Sequence, residues 1–545
     1  EHAAFGFMPR LRAGLISILV LILASSMAGA QTASLVPGAH TDPSPPAQKE
    51  TLKAKDLLNQ GRIFDALLAF QSAFALDSLS SQAAENLGIA YQTANLPRDS
   101  YDAFRRATDL DPTSASAWNR AGQVLLASLG RPAAALASFE HALTLDPDYG
   151  PALFSRSIYY LFRGELDKAD KDIEQARLRP GSEDESRFYY GAQLQMLVSR
   201  GQYHEAEQGL RQQVFEFPSD VRSGQSLVIA YRMMGRPADA RKQMDQLATL
   251  LAPQEPLSIE TGLIEEALGH RDSAIVAYNI AWQLDTTSAE AGFHLARIYF
   301  AQGDTLRGMS WLSLVEGRDP GFYPTAILAA RAFAARGDKA LADRALARAK
   351  HLHPSTLGGL TDIVPAGPDS AIAKAERDLL SGDLTAALNR CYAATTNTGE
   401  RGRALLLAAW ASHRPPGAPA TAVAQLEAAL ESLPASDKLA RAEAERELGK
   451  AHLRIGNRED ARQHLEKSLE ILPAKDPGAA PAAAVLLGLY LDAGDKASAA
   501  KLAKKVGNTD DPDLLSALGR VADSSGDGKG AAALRDRAKA MAFLP

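Results

Sequence analysis

Residues 194–218 read LQMLVSRGQYHEAEQGLRQQVFEFP, and the order of apolar, small and turn residues in them decides the fold. Leu194, Leu197 and Val198 fall at helical spacing, and Gly201 after them can take the left-handed conformation that closes a helix. A second helix is predicted from His204 to Phe217, where Pro218 stops it. Ala206 leaves room for the first helix to lie close, and Leu210 and Val214 extend the apolar stripe by a turn each. Gly201 is the first of five glycines, with Gly235, Gly269, Gly303 and Gly337, at a strict interval of 34 residues. With glycine at roughly 7% of an average sequence, four further hits at a preset period have a chance of about two or three in a hundred thousand. A small residue recurs five positions later at Ala206, Ala240, Ala274, Gly308 and Ala342, and an apolar one after that at Leu210, Met244, Tyr278, Leu312 and Leu346. Each period is therefore a helix pair without a private core, and such pairs must stack on their neighbours.

Outward from this stretch the same order returns with larger side chains. One unit carries Leu87, Gly88, Tyr91, Phe104, Ala107 and Pro112, with Ser100 where a smaller residue is expected. The next carries Trp118, Gly122, Leu125, Ala135, Phe139, Ala142 and Pro147, and a later one Leu448, Gly449, Gly456, Ala461, Leu465 and Pro473. These residues resemble the tetratricopeptide repeat. The resemblance implies an all-α chain, a right-handed α-solenoid of about 13–14 helix–turn–helix repeats covering nearly everything after residue 50.

Composition narrows the function. The 545 residues carry a formal net charge of -6, so no basic surplus exists to neutralise a phosphate backbone, and nucleic acid is not expected as a partner. Cys391 is the single cysteine, which excludes an intrachain disulfide and a CxxC pair. Its setting among Leu388, Asn389, Arg390 and Tyr392 reads as a small buried apolar residue, with a reactive thiol as the alternative. There is no HExxH pair, phosphate-binding glycine loop or nucleophile elbow, and His351 and His353 read as solvated helix ends. The acidic run Glu183, Asp184 and Glu185 sits at a helix entrance, where carboxylates favour the positive end of the dipole. No catalytic residue, metal site or cofactor is expected, and the chain is read as a non-enzyme.

The amino-terminal stretch reads as an address. From Met8, taken as the start, Arg10 and Arg12 precede an apolar run from Ala13 to Ala24, and Ala28 and Ala30 supply the small residues that a signal peptidase requires before Gln31. Residues 1–30 are thus a signal peptide, and the protein is expected in the periplasm or secreted, with an uncleaved inner-membrane anchor as the alternative. Residues 31–50, with Pro37, Gly38, Pro43, Pro45 and Pro46, read as a disordered linker. A first solenoid is expected over 51–356, a glycine- and proline-rich hinge or loop over 357–367, and a second solenoid over 368–545. Pro415, Pro416, Gly417 and Pro419 lengthen one turn of the latter.

By the same resemblance, fixed positions of each first helix line a concave groove. Carried over unit by unit these are Asn119 and Gln123, Phe154 and Ile158, Gln195, Gln225 and Arg232, Phe293 and Arg297, and Arg331. Amides, guanidinium groups and apolar anchors together suit a protein or extended peptide. The lysine–asparagine clamp of chaperone-binding members is absent, since the corresponding positions are Glu85, Ile89, Asn119 and Gln123. The expectation is a scaffold or adaptor outside the cytoplasm, in envelope assembly, secretion or polysaccharide export. The alternative is a non-catalytic accessory subunit of an envelope glycosyltransferase or peptidase complex. Arg297 and Arg331, with Phe293 a turn before, are the expected anchoring patch.

Overall fold

A computed structural model describes residues 39–353, 370–412, 418–474, 476–506 and 509–541. Helices account for nearly all of them, and a single bridge between His40 and Ser80 is the one strand-like pairing among the described residues. The chain forms two compact units that divide between Gln193 and Leu194.

The first unit holds α1 (Pro45–Asn59), α2 (Ile63–Leu76), α3 (Ser81–Thr93), α4 (Pro97–Leu110), α5 (Ala115–Ala127), α6 (Pro132–Leu145), α7 (Gly150–Phe162), α8 (Leu166–Leu178) and the start of α9 (Glu183–Ser199). The second continues with α10 (Tyr203–Glu216), α11 (Val221–Met233), α12 (Pro237–Ala248), α13 (Glu255–Ala267), α14 (Arg271–Leu284), α15 (Ala289–Ala301), α16 (Thr305–Arg318), α17 (Tyr323–Ala335) and α18 (Lys339–Leu352). After residue 370 come α19 (Ala371–Ser381), α20 (Leu384–Ala394), α21 (Arg401–Ser412), α22 (Pro419–Ser432), α23 (Lys438–Ile455) and α24 (Arg458–Ile471). The last are α25 (Ala480–Asp492), α26 (Lys496–Val506), α27 (Pro512–Ser524) and α28 (Gly528–Met541). These 28 helices make an all-α repeat solenoid of consecutive antiparallel pairs, within the expected number of repeats.

Several pairs are held by a large side chain of the second helix seated on a small residue of the first. A Cβ placed on Gly122 would stand 2.5 Å from the Phe139 ring, and one on Gly88 would stand 2.6 Å from Phe104. Both rings are fully buried, so the glycines set how closely α5 meets α6 and α3 meets α4. The turns follow the 34-residue period. Gly201, Gly235, Gly269, Gly303 and Gly337 all have φ between 70° and 82°, the left-handed region that penalises a side chain. In phase with them Ala206, Ala240, Ala274, Gly308 and Ala342 are buried.

Three expectations differ from the structure. The linker placed over 31–50 is helical at its described end, because Pro45 and Pro46 occupy the first turn of α1, where the missing N–H leaves no bond unmade. Ser44 N–H donates to Asp77 at 2.7 Å, and His40 exchanges backbone bonds with Leu79 and Ser81, which ties this segment to the turn after α2. The boundary placed at 357–367, a segment outside the described residues, is not where the compact units divide. Side chains on either side of it are bonded: Arg348 donates to Asp513 at 2.5 Å, and Arg446 donates to the Leu352 carbonyl at 2.8 Å. His353, expected at a solvated helix end, is fully buried, bonded to Glu443 of α23, and faces the rings of Tyr323 and Trp410. Cys391 is buried as expected, and burial pushes its thiol up, away from the reactive thiolate.

In the second unit the chain after residue 370 returns over the first helices of the earlier pairs. α21 is buried all round from Ala404 to Ser412, with Trp410 against Phe322 and Tyr323.

Replacing Gly122 by Val should lower the unfolding free energy of the first unit by about 2 kcal/mol, because the ring of Phe139 has no free volume to yield. Gly317, helical with nothing within 4 Å of a built Cβ, serves as the control, and its replacement by Ala should be neutral or stabilise by about 0.5 kcal/mol. Urea unfolding followed by circular dichroism checks both. Equal effects at the two sites would contradict the interlock.

Candidate functional site: the inward face of the repeats

In the first unit the expected groove residues lie on α5 and α7. Asn119 and Gln123 are buried, and Gln123 donates to Ser155 Oγ of the next first helix at 3.0 Å. Asn119 Oδ1 has no hydrogen-bond partner. Phe154 and Ile158 are also buried, the former edge-on to Phe188 at 4.9 Å. An ion pair knits consecutive first helices: Arg120 of α5 donates to Glu85 of α3 at 2.8 Å, and Ser116 adds a second bond to the same oxygen at 2.5 Å.

In the second unit the expected groove residues are largely engaged by the chain itself. Gln195 and Gln225 are buried. Arg232 of α11 donates two bonds to Glu260 of α13, at 2.7 and 3.1 Å, and two more to Asp383 at the start of α20. Burial works against its charge, but the carboxylates of Asp383 and Glu260 outweigh it and hold the proton more tightly than usual. Phe293 is buried beneath Gly382. Arg297 donates to Glu266 at 2.5 Å and to His294 Nδ1 at 3.2 Å, while Arg331 stands exposed on α17. Of the expected anchoring patch, Phe293 is covered by the α19–α20 turn of the returning chain, Arg297 is held by Glu266 and His294 but stays partly exposed, and Arg331 is exposed. Ala28, Ala30 and Gln31 lie outside the described residues.

His294 links these groups. Its Nε2 lies 3.2 Å from the Gly382 carbonyl, which only accepts, and its Nδ1 faces the Arg297 guanidinium, which only donates. The ring is thus neutral with the proton on Nε2, and burial and then the charge of Arg297 push its pKa well below the usual histidine range. Tyr278 stacks on it at 4.6 Å and donates to Glu266 at 2.7 Å.

At the far end of this unit, Arg348 and His351 of α18 meet Glu316 and Asp319 at the end of α16 and Asp511 and Asp513 at the start of α27. Arg348 lies 3.5 Å from Glu316 and 2.5 Å from Asp513, and His351 lies 3.4 Å from Asp511. Carboxylates outnumber cations here. Burial pushes Glu316 up to about 7, with Arg348 opposing and Asp513 and Asp319 adding to the rise.

The order of helices, the glycine turns and the ring-on-glycine interlock meet in the third pair, and there the tetratricopeptide-repeat family model matches, over residues 115–149. This chain carries tetratricopeptide repeats. Among curated proteins, the chain is 29% identical over 124 residues to Protein FlbA of Caulobacter vibrioides, a stretch of 23% of this chain and 21% of that protein. It is 32% identical over 111 residues to the probable UDP-N-acetylglucosamine–peptide N-acetylglucosaminyltransferase SPINDLY of Petunia hybrida, covering 19% of this chain and 12% of that protein. The chain thus spans about a fifth or less of the length of these relatives. Among solved structures, a tetratricopeptide repeat protein from Parabacteroides merdae aligns over 44% of this chain and 94% of its own, at 18% identity and a TM-score of 0.36. The Cut9–Hcn1 hetero-tetramer of the APC/C aligns over 90% of this chain and 96% of its own, at 14% identity and a TM-score of 0.35.

Sequence reasoning missed Glu260, His294, Asp383 and the acidic joint at α27. One signal was available for the ties between tetratricopeptide pairs. Arg120 and Glu85, Arg232 and Glu260, Arg236 and Glu207, and Arg297 and Glu266 are each 28 to 35 residues apart, about one repeat. Asp383 lies 151 residues from Arg232, and no spacing rule reaches it.

The acidic joint gives a pH dependence with a defined sign. Between the ordinary glutamate value of 4.5 and about 7, the folded chain holds a proton on Glu316 that the unfolded chain releases, so stability falls as pH rises through that window. Glu316→Gln should remove this component. Its melting temperature should lose less than that of the parent chain between pH 5 and pH 8, which thermal scans at both values would test. Parallel curves for the two proteins would count against the assignment.

Proposed function

We propose that this chain is a protein-interaction scaffold that works outside the cytoplasm, in envelope assembly, secretion or polysaccharide export, and that its first unit carries the partner face. The tetratricopeptide repeats support the scaffold reading, since such domains generally bind proteins or peptides. One observation favours the first unit: the expected face of the second is engaged by the chain's own α19–α20 turn, through Arg232 and Phe293. In the first unit Asn119, Gln123, Phe154 and Ile158 are buried as well, Gln123 against Ser155 and Phe154 against Phe188, so they support this face from beneath and the half-buried groups beside them would meet the partner. The export reading rests on Arg10, Arg12, the apolar run from Ala13 to Ala24, and Ala28 with Ala30. No described helix is long and apolar enough to cross a membrane.

A second reading, an accessory subunit of a glycosyltransferase complex, draws on the likeness to SPINDLY, a probable UDP-N-acetylglucosamine–peptide N-acetylglucosaminyltransferase. The matched stretch covers about an eighth of that protein, so the activity does not come across with it.

Expression in a Gram-negative host with sequencing of the exported product should show a chain beginning at Gln31. A full-length product retained in the membrane would favour an anchor. A photo-crosslinking residue at Gln92, half-buried on α3 a turn after the groove position Ile89, should capture a defined partner in the native host, and one at Arg105, exposed on α4, should not. Equal capture at both positions would place the partner away from the inward face.

A further inference from the structure

The turn between α19 and α20 is held by the wall it rests on in the way a bound ligand is held. Three consecutive residues of the turn each present one polar group to a partner on the wall, and the Leu384 N–H also bonds back to the Gly382 carbonyl at 3.1 Å. The Gly382 carbonyl accepts from His294 Nε2 at 3.2 Å, the Asp383 carboxylate accepts from Arg232, and the Leu384 N–H donates to Glu290 Oε1 at 3.3 Å. Arg232 belongs to α11, and Glu290 and His294 to α15, so one wall built from separate repeats reads three adjacent groups. Shape is read as well. Gly382 has φ of 86°, and a Cβ built on it would stand 2.6 Å from the Phe293 ring, so only glycine fits. Asp383 also caps its own helix, Oδ1 accepting from Ala386 N–H at 2.9 Å.

The wall is prepared to lose this occupant. Arg232 keeps its two bonds to Glu260 and Arg297 keeps Glu266, so withdrawal of Asp383 leaves no buried cation without a counter-charge. Burying an unpaired charge is the main penalty for emptying such a face, and here the wall's own carboxylates avoid it. Apolar core packing would show the opposite pattern, with hydrocarbon on both sides and nothing to satisfy when the two parts separate.

We infer that the inward face of α11–α15 is a second interaction surface, which recognises a glycine turn followed by an aspartate at a helix start, and that the α19–α20 turn occupies it in cis and competes with a partner carrying the same feature. This rests on the scaffold reading for its biological use but not for its test, because the probe is the chain's own sequence. His294 adds a pH component: it bonds both neighbours only when neutral, so the face should hold the turn less tightly as pH falls below the ordinary histidine range. The titratable and charged groups that face it are Arg297 of its own helix, Glu266 of α13, Tyr278 of α14 and Arg232 of α11.

The experiment uses the full chain and a fluorescent synthetic peptide of residues 371–394. Gly382→Val should expel the turn by its Cβ and its strained backbone. The peptide should then bind the variant at least tenfold more tightly than the parent chain in anisotropy titrations. Hydrogen exchange should rise around residues 381–384 and on the facing turns of α11 and α15, and remain unchanged over α1–α8. A peptide carrying Asp383→Ala, or the Gly382→Val protein further changed by Arg232→Ala, should lose that binding. Undiminished binding by either would overturn the recognition chemistry. If the variant keeps its helical signal yet the peptide fails to bind, the turn is ordinary packing and the inference fails. Asp383→Asn, which keeps the cap and removes the charge, covers the case in which Gly382→Val unfolds. It should loosen the turn locally in exchange and admit the peptide, whereas cooperative loss of the whole second unit would show that the turn is part of the core. Failure to find an outside partner in the crosslinking experiment would leave these outcomes unaffected.

Discussion

The seating of a large side chain on a glycine or alanine is the constraint on which everything else in this chain is built. Phe104 on Gly88, Phe139 on Gly122, Tyr278 on Gly262 and Leu465 on Gly449 leave less than 3 Å for any added carbon. Such a contact fixes both the separation and the rotation of the two helices, because the ring enters a single notch in the backbone of its neighbour. Once each pair has one geometry, its outer apolar stripe has one direction, and the next pair can add only there. A left-handed residue after the first helix, glycine in twelve described turns and Asn95 between α3 and α4, then returns the chain in the same sense. Repetition of a local steric fact produces the solenoid, with no long-range instruction needed.

Ion pairs between neighbouring repeats act on top of this. Arg120 with Glu85 and Arg232 with Glu260 connect successive first helices on the side where the groove is expected. Partly buried charges of this kind add little net stability, since desolvation offsets much of their attraction. Their effect is on the chemistry of the inward face. A guanidinium already held by one carboxylate is fixed in direction and can still donate to a second acceptor, as Arg232 does to Asp383.

The parts of this architecture that repeat were legible in the sequence, and the parts that occur once were not. Helix pairs, glycine turns and the buried alanines follow from a period that any one unit displays, so errors at single positions average out. Pro45 and Pro46 were misread because proline marks both a linker and a first helical turn. What separates the two is the Ser44 to Asp77 bond, a contact 33 residues away. His353 was misread for a similar reason: a histidine at a helix end is solvated by default, and only the arrival of Glu443, 90 residues on, makes it a buried partner. The groove residues were named by resemblance alone, and their burial was not legible: Arg232 meets Asp383, 151 residues on, and Phe293 lies beneath Gly382.

That return has its own specificity problem, and its polar contacts address it. A repeat array offers nearly equivalent apolar stripes every 34 residues, so hydrocarbon alone would let the α19–α20 turn settle one repeat to either side at small cost. The polar groups do not repeat. One period away from Arg232 stand Val198 and Glu266, which would give Asp383 either no partner or a like charge. One period from His294 stand Glu260 and Leu328, neither of which donates to the Gly382 carbonyl as a neutral imidazole does. One period from Glu290 stand Pro256 and Pro324, whose side chains accept nothing from the Leu384 N–H. Each slip would break the contacts to the wall, leaving Gly382 and Leu384 only their bond to each other and Asp383 only its helix cap, and each lost bond is worth roughly 0.5–1.5 kcal/mol. A structure made of copies thus acquires one register from the few positions at which its copies differ.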